Sequence, residues 1–137
     1  MKATIRKYMT RAPHTIGQEQ TLDVAHNVMR QHAVRHLPVL EGGKLVGLLS
    51  QRDLHLIETL RDVDPATTTV DEAMTTDVYI TGPDAALDEV ASQMAEHKYG
   101  SAVIVERGKV VGMFTTVDAL HALALLAITP QPQGAFK

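Results

Sequence analysis

The sequence is written twice. Sliding the 137-residue chain on itself by 65 positions aligns residues 5–54 with 70–119 without a gap, and 13 of the 50 pairs are identical; unrelated sequences of ordinary composition match at roughly 3. The identities include Met9/Met74 with Thr10/Thr75, Leu22/Leu87 with Asp23/Asp88, His32/His97, Gly43/Gly108 with Lys44/Lys109, Gly47/Gly112 and Asp53/Asp118. One local unit is therefore built twice, and the core is a property of the pair.

Within each copy the periodicity changes in the same order. A short extended segment (residues 14–16 and 79–81) leads into a helical pattern. Leu22, Ala25, Met29 and Ala33 share one face in the first copy, as do Leu87, Val90, Ala91, Met94 and Ala95 in the second. Thr21 can cap the first helix, and Asp84 precedes the second. Two apolar runs follow, HLPVL and KLVGLL around EGGK, then SAVIV and KVVGMF around ERGK, which read as β-hairpins. A second helix is expected over about 50–63 and about 115–127, giving β-α-β-β-α per repeat. Asp64 and Pro65 end the first helical pattern, so residues 1–64 read as repeat 1 with an N-terminal segment, 65–69 as a linker, 70–128 as repeat 2 and 129–137 as a mobile tail. Such a half buries little by itself. The expectation is one α/β (α+β) module in which two pseudo-symmetric repeats pack through their sheets.

Composition narrows the function classes. The chain is 45% hydrophobic and 21% charged, too apolar for a disordered chain and too interrupted by charge for a membrane protein. Its longest apolar tract, residues 120–128, is broken by His121 and too short to span a bilayer. No apolar h-region stands near the start, and the lack of cysteine excludes disulfides and thiolate metal sites, so a cytoplasmic location is expected. Net charge is −3, with scattered cations, two Phe, three Tyr and no Trp, which argues against a long nucleic acid as partner. A small anion in a local pocket remains open.

The duplicated stretches GLLSQRD (47–53) and GMFTTVD (112–118) each place a hydroxyl and a carboxylate three residues apart at a helix start. Ser-x-x-Asp of this kind is a capping box, satisfying orphan backbone N–H groups. The same residues suit a nucleotide, since a carboxylate accepts from ribose hydroxyls and free N–H groups face phosphate. Gly47 and Gly112 likewise fit either close packing or the approach of a ligand.

Two copies of β-α-β-β-α, each with Met-Thr near its start, a hairpin ending GKLVG or GKVVG and Gly-x-x-Ser/Thr-x-x-Asp at the last helix, resemble a tandem pair of cystathionine-β-synthase (CBS) domains, a Bateman module. The resemblance covers about residues 5–126. It implies a regulatory, energy-sensing module for AMP, ADP or ATP, with NAD and S-adenosylmethionine in the same ligand class, and a stand-alone member acting on a separate effector protein. Carried over by position, it nominates Ser50 with Asp53, and Thr115 and Thr116 with Asp118, for ribose and phosphate, joined by Arg35, His36 and Arg52. Copy two offers Lys98 in the corresponding region, so the first site is expected to prefer more highly phosphorylated ligands. For adenine it nominates Thr15, Ile16, His36, Leu37 and Pro38 in copy one, and Ile80, Thr81, Ser101 and Ala102 in copy two. Copy two departs from the pattern, with Val103 where copy one has Pro38.

No catalytic residue, metal site or required cofactor is expected. His32 and His36 do not share a helix face, no HExxH-type site is completed, and neither a GxSxG elbow nor a Walker loop is present. The apolar run over residues 119–128 is apolar on more than one face and is assigned to a homodimer contact. The alternative function is a ligand-free interaction and dimerisation scaffold.

Overall fold

The computed structural model describes residues 2–128; the tail expected to be mobile lies outside them. Two hairpins form the frame. β3 (His36–Glu41) pairs with β4 (Lys44–Ser50), and β6 (Ser101–Glu106) with β7 (Lys109–Thr115), both antiparallel. Their two-residue turns put Gly42 and Gly43 at φ +56° and +82°, and Arg107 and Gly108 at +54° and +76°, the left-handed pair whose twist matches the flanking strands. Short strands β2 (Ile16–Gly17) and β5 (Ile80–Thr81) add in parallel to β3 and β6, which requires the crossover helices α2 (Leu22–His32) and α5 (Leu87–His97). Helices α3 (Gln51–Ile57) and α6 (Thr116–Ile128) follow the hairpins, completing β-α-β-β-α twice.

Local chemistry explains where these helices start and stop. Thr21 caps α2, accepting the Val24 N–H, whereas Ala86 precedes α5 without a side-chain cap. Asp84 pairs instead with Arg6 at 3.3 Å. α3 is shorter than its apolar pattern suggests. The Glu58 N–H reaches both Leu54 and Leu56 carbonyls, the Thr59 hydroxyl donates to the Leu56 carbonyl at 2.6 Å, and His26 holds the Glu58 carboxylate at 2.6 Å. These bonds tighten the chain out of the α-helix at residue 58, and turns carry it to Pro65.

Packing and sequence boundaries do not coincide. Each repeat opens with a one-turn helix, α1 (Ile5–Tyr8) or α4 (Val70–Ala73), and each plugs the other repeat's core. Fully buried Ile5 sits among Leu87, Val90, Met94, Phe114 and Ala122, while Val70, equally buried, sits among Leu22, Ala25, Met29, Leu37 and Leu54. Symmetry-related backbone bonds fix the exchange: Ile5 N–H to the Ala85 carbonyl at 2.9 Å and Val70 N–H to Gln20 at 2.8 Å, Arg6 to Pro83 at 2.8 Å and Asp71 to Gln18 at 3.1 Å. Strand β1 (Thr10–Arg11) then pairs with β7, making a four-stranded sheet β1-β7-β6-β5 beside the three-stranded sheet β2-β3-β4. Its counterpart Thr75 bridges to Leu48. Leu48, Val103 and Met113 form a third small cluster that joins the two sheets.

The exchange explains Gly47 and Gly112. A Cβ on Gly47 would lie 2.5 Å from the Met74 sulfur and 2.9 Å from the Thr75 carbonyl; on Gly112 it would lie 2.6 Å from the Met9 sulfur and 3.0 Å from the Thr10 carbonyl. The duplicated Met-Thr is what these glycines admit. Gly47→Ala and Gly112→Ala are expected to lower stability by about 1–3 kcal/mol each, as overpacking does. At Gly82 a Cβ would meet only the Val105 carbonyl at 3.9 Å, so Gly82→Ala is expected to be neutral or slightly stabilising. Urea denaturation of the three variants checks the difference.

Candidate functional site

A cleft of about 570 Å³ opens between the two repeats. The first repeat contributes Arg35, His36, Ser50, Arg52 and Asp53, and the second contributes Asp77, Tyr79, Lys98, Tyr99 and Ser101. Thr75, carried over by the exchange, lines it as well. The cations that appear in the sequence as belonging to separate copies are thus gathered in one place. Lys98 arrives as the left-handed C-cap of α5, with φ +57°, and meets the arginines that flank β3 and open α3.

At the centre of the cleft the capping box is formed in full. The Asp53 N–H donates to Ser50 Oγ at 3.0 Å and the Ser50 N–H donates to Asp53 Oδ2 at 2.9 Å. The box uses one carboxylate oxygen. Among the described residues Asp53 Oδ1 accepts no hydrogen bond, so it is available to a hydroxyl donor while the cap stays intact.

His36 lies across from Gly100, whose Cβ position is 3.7 Å from its Nε2. Burial lowers the His36 pKa below its ordinary value, Asp53 opposes the shift, and Arg35 adds to it. His36 therefore carries less positive charge than a free histidine at the same pH. Tyr79 and Tyr99 stack with centroids 5.2 Å apart, and His97 continues the stack at 5.4 Å. Burial, with smaller contributions from Glu89 and Tyr99, raises the Tyr79 pKa and keeps its hydroxyl protonated.

Of the residues nominated from sequence, Arg35, His36, Ser50, Arg52, Asp53 and Ser101 line this cleft. Thr115 and Asp118 build the matching box at α6, while the Thr116 hydroxyl donates to the Gly100 carbonyl at 3.1 Å. Of the adenine nominees only His36 and Ser101 are in the cleft; the others do not line it. Ile16 and Leu37 are buried in the first repeat's core, Ala102 in the second's, and Pro38 is fully buried. Ile80 is 52% exposed; Thr15 is exposed and Thr81 half-buried. Strand alternation is the reason: with His36 and Ser101 facing the cleft, their neighbours Leu37 and Ala102 face the core. Sequence reading passed over Tyr79, Tyr99, Asp77 and Thr75. Two of the chain's three tyrosines standing just before the adjacent strands β5 and β6 of the second repeat were the signal available.

The CBS domain model matches residues 5–56 and again 70–125. The chain belongs to the CBS domain family. The CBS domain-containing protein YhcV of Bacillus subtilis is 32% identical over 116 residues, 85% of this chain and 82% of YhcV. The crystal structure of AcuB from Vibrio cholerae superposes with a TM-score of 0.81 at 32% identity, covering 96% of this chain and 100% of AcuB. The CBS domain pair of MJ0100, solved with 5′-methylthioadenosine and S-adenosyl-L-methionine, shares the fold with a TM-score of 0.80 at 22% identity, over 92% of this chain and 99% of that one. Among the described residues of this CBS pair, no group of three His, Asp or Glu could hold a metal ion, and no helix is long and apolar enough to cross a membrane.

The lowered His36 pKa has a signed consequence. Above its ordinary value of 6.5 both folded and unfolded chains hold neutral His36 and its burial costs nothing in protonation. As the pH falls below that value the unfolded chain takes the proton first, and stability is lost until the folded pKa is passed. Urea midpoints measured between pH 7.5 and 5 are expected to fall more steeply for the wild type than for His36→Gln.

Proposed function

We propose that this CBS pair is a noncatalytic regulatory module that binds an adenosine nucleotide in the inter-repeat cleft and reports it to a separate effector protein. The observation that carries the reading is the joint presence of Arg35, Arg52 and Lys98 with the available Asp53 oxygen in one cleft. The carboxylate suits a ribose hydroxyl and the three cations suit a polyphosphate, so ATP and ADP are favoured over AMP and over uncharged adenosine compounds. The cleft volume lies in the range of small-molecule sites. The adenosine compounds in the MJ0100 crystal support the choice of ligand class. The scaffold alternative has no use for three like charges gathered in one concavity.

A ligand of the folded state raises its stability by RT ln(1 + [L]/Kd), about 2.7 kcal/mol at a hundredfold excess over Kd. Thermal-shift measurements with ATP, ADP, AMP, NAD and S-adenosylmethionine are expected to give the largest rise with ATP, smaller with added salt and reduced in Arg52→Ala. No rise with any of them would favour the scaffold.

We further propose a cytoplasmic homodimer built on α6. Ala122 is the buried side chain of that helix, and Val117, Leu120, Leu123 and Ile128 are 57%, 62%, 63% and 79% exposed. Leu56 and Leu60, at and after the end of α3, are 59% and 60% exposed. A helix apolar beyond its own core face calls for a second surface. Leu120→Glu with Leu123→Glu is expected to convert a dimer to a monomer in light scattering while leaving the folded circular dichroism spectrum unchanged.

A further inference from the structure

The 65-residue shift maps Ser50 and Asp53 onto Thr115 and Asp118, and Thr75 onto Thr10. The two boxes have diverged in opposite directions. Positions held by Arg52 and Lys98 in the cleft are Val117 and Ala33 in the symmetry-related set, and Tyr79 and Tyr99 become His14 and Val34. His14 is stacked face to face on His32, with centroids 3.5 Å apart.

The carboxylates differ as well. Asp118 Oδ1 accepts from the Thr10 hydroxyl at 2.9 Å, and its Oδ2 accepts from the Thr115 N–H at 2.9 Å and the Thr115 hydroxyl at 3.2 Å. Both oxygens are engaged. At the first box Asp53 Oδ1 accepts nothing among the described residues, and the Thr75 hydroxyl accepts the Asp77 N–H at 3.3 Å instead of donating to the carboxylate. A ribose hydroxyl arriving at Asp118 would have to share Oδ1 with the Thr10 hydroxyl, which β1 pins opposite Met113, whereas at Asp53 it meets an oxygen with no donor among the described residues.

We infer that Asp118 is a structural latch that clasps the exchanged N-terminal segment to α6, and that the chain takes one nucleotide, at Asp53. The stoichiometry rests on the nucleotide reading of the cleft; the latch does not.

Calorimetry of the full chain with ATP is expected to give one equivalent per chain. Asp118→Asn keeps that equivalent with Kd changed less than about threefold, and Asp53→Asn weakens it by about tenfold or more. A second equivalent in the wild type, or an equivalent lost in Asp118→Asn, would overturn single occupancy. Thr10→Val and Asp118→Asn are each expected to lower the urea midpoint, and the double variant to lower it no further than the worse single one. Additive losses would remove the latch. If ATP, ADP and AMP all give no heat with the wild type, the nucleotide reading falls and the stoichiometry with it, while the double-mutant comparison still decides the latch.

Discussion

Each repeat's core is closed by a residue from the other. Ile5 and Val70 are fully buried in exchanged positions, and deleting a buried aliphatic of this size costs about 2–5 kcal/mol. The two halves therefore cannot separate without opening both cores. The close approach that permits the exchange depends on Gly47 and Gly112, since β4 and β7 must accept a Met-Thr backbone at a distance no side chain tolerates. The exchange also supplies a wall of the cleft, because Thr75 reaches it on the segment that α4 anchors. Core, sheet edge and candidate site thus share one origin.

Duplication of the Ser/Thr-x-x-Asp box kept its backbone role in both copies. Ser50 with Asp53 and Thr115 with Asp118 each close the reciprocal N–H bonds of a helix start, and at Asp53 the cap uses only one of the two carboxylate oxygens. What differs is the surroundings of that second oxygen: cations and stacked tyrosines at Asp53, a threonine hydroxyl at Asp118. A box conserved in form has become two chemical environments through changes at positions outside it.

The period of 65, the hairpin turns and the β-α-β-β-α order were legible because they are local: spacing, glycine and helix pattern determine them. The exchange was not. Ile5 and Val70 are both β-branched and occupy equivalent positions, so the pattern shows that each is buried and cannot show in which core. The grouping of Lys98 with Arg35 and Arg52 was hidden for the same reason, since it follows from how the repeats pair and not from either repeat alone. α5 starts uncapped because Ala86 stands at its N-cap, while the His26–Glu58 contact past the end of α3 and the Arg6–Asp84 pair were hidden from any local pattern. Both partners lie far off in sequence.

The distribution of charge suggests how occupancy could be communicated. Arg35 and Arg52 belong to one repeat and Lys98 to the other, and Asp53 and Asp77 line the same cleft, so cations of both repeats outnumber the carboxylates there. On the proposed nucleotide reading, a polyphosphate would bridge cations of both repeats. Differential affinity for two arrangements is what a ligand needs to shift an equilibrium. Asp118 and Thr10 fasten β1 to the start of α6, next to the exposed apolar face of that helix. The asymmetry between the two boxes lies in what the second carboxylate oxygen meets: the Thr10 hydroxyl at Asp118, and no donor among the described residues at Asp53.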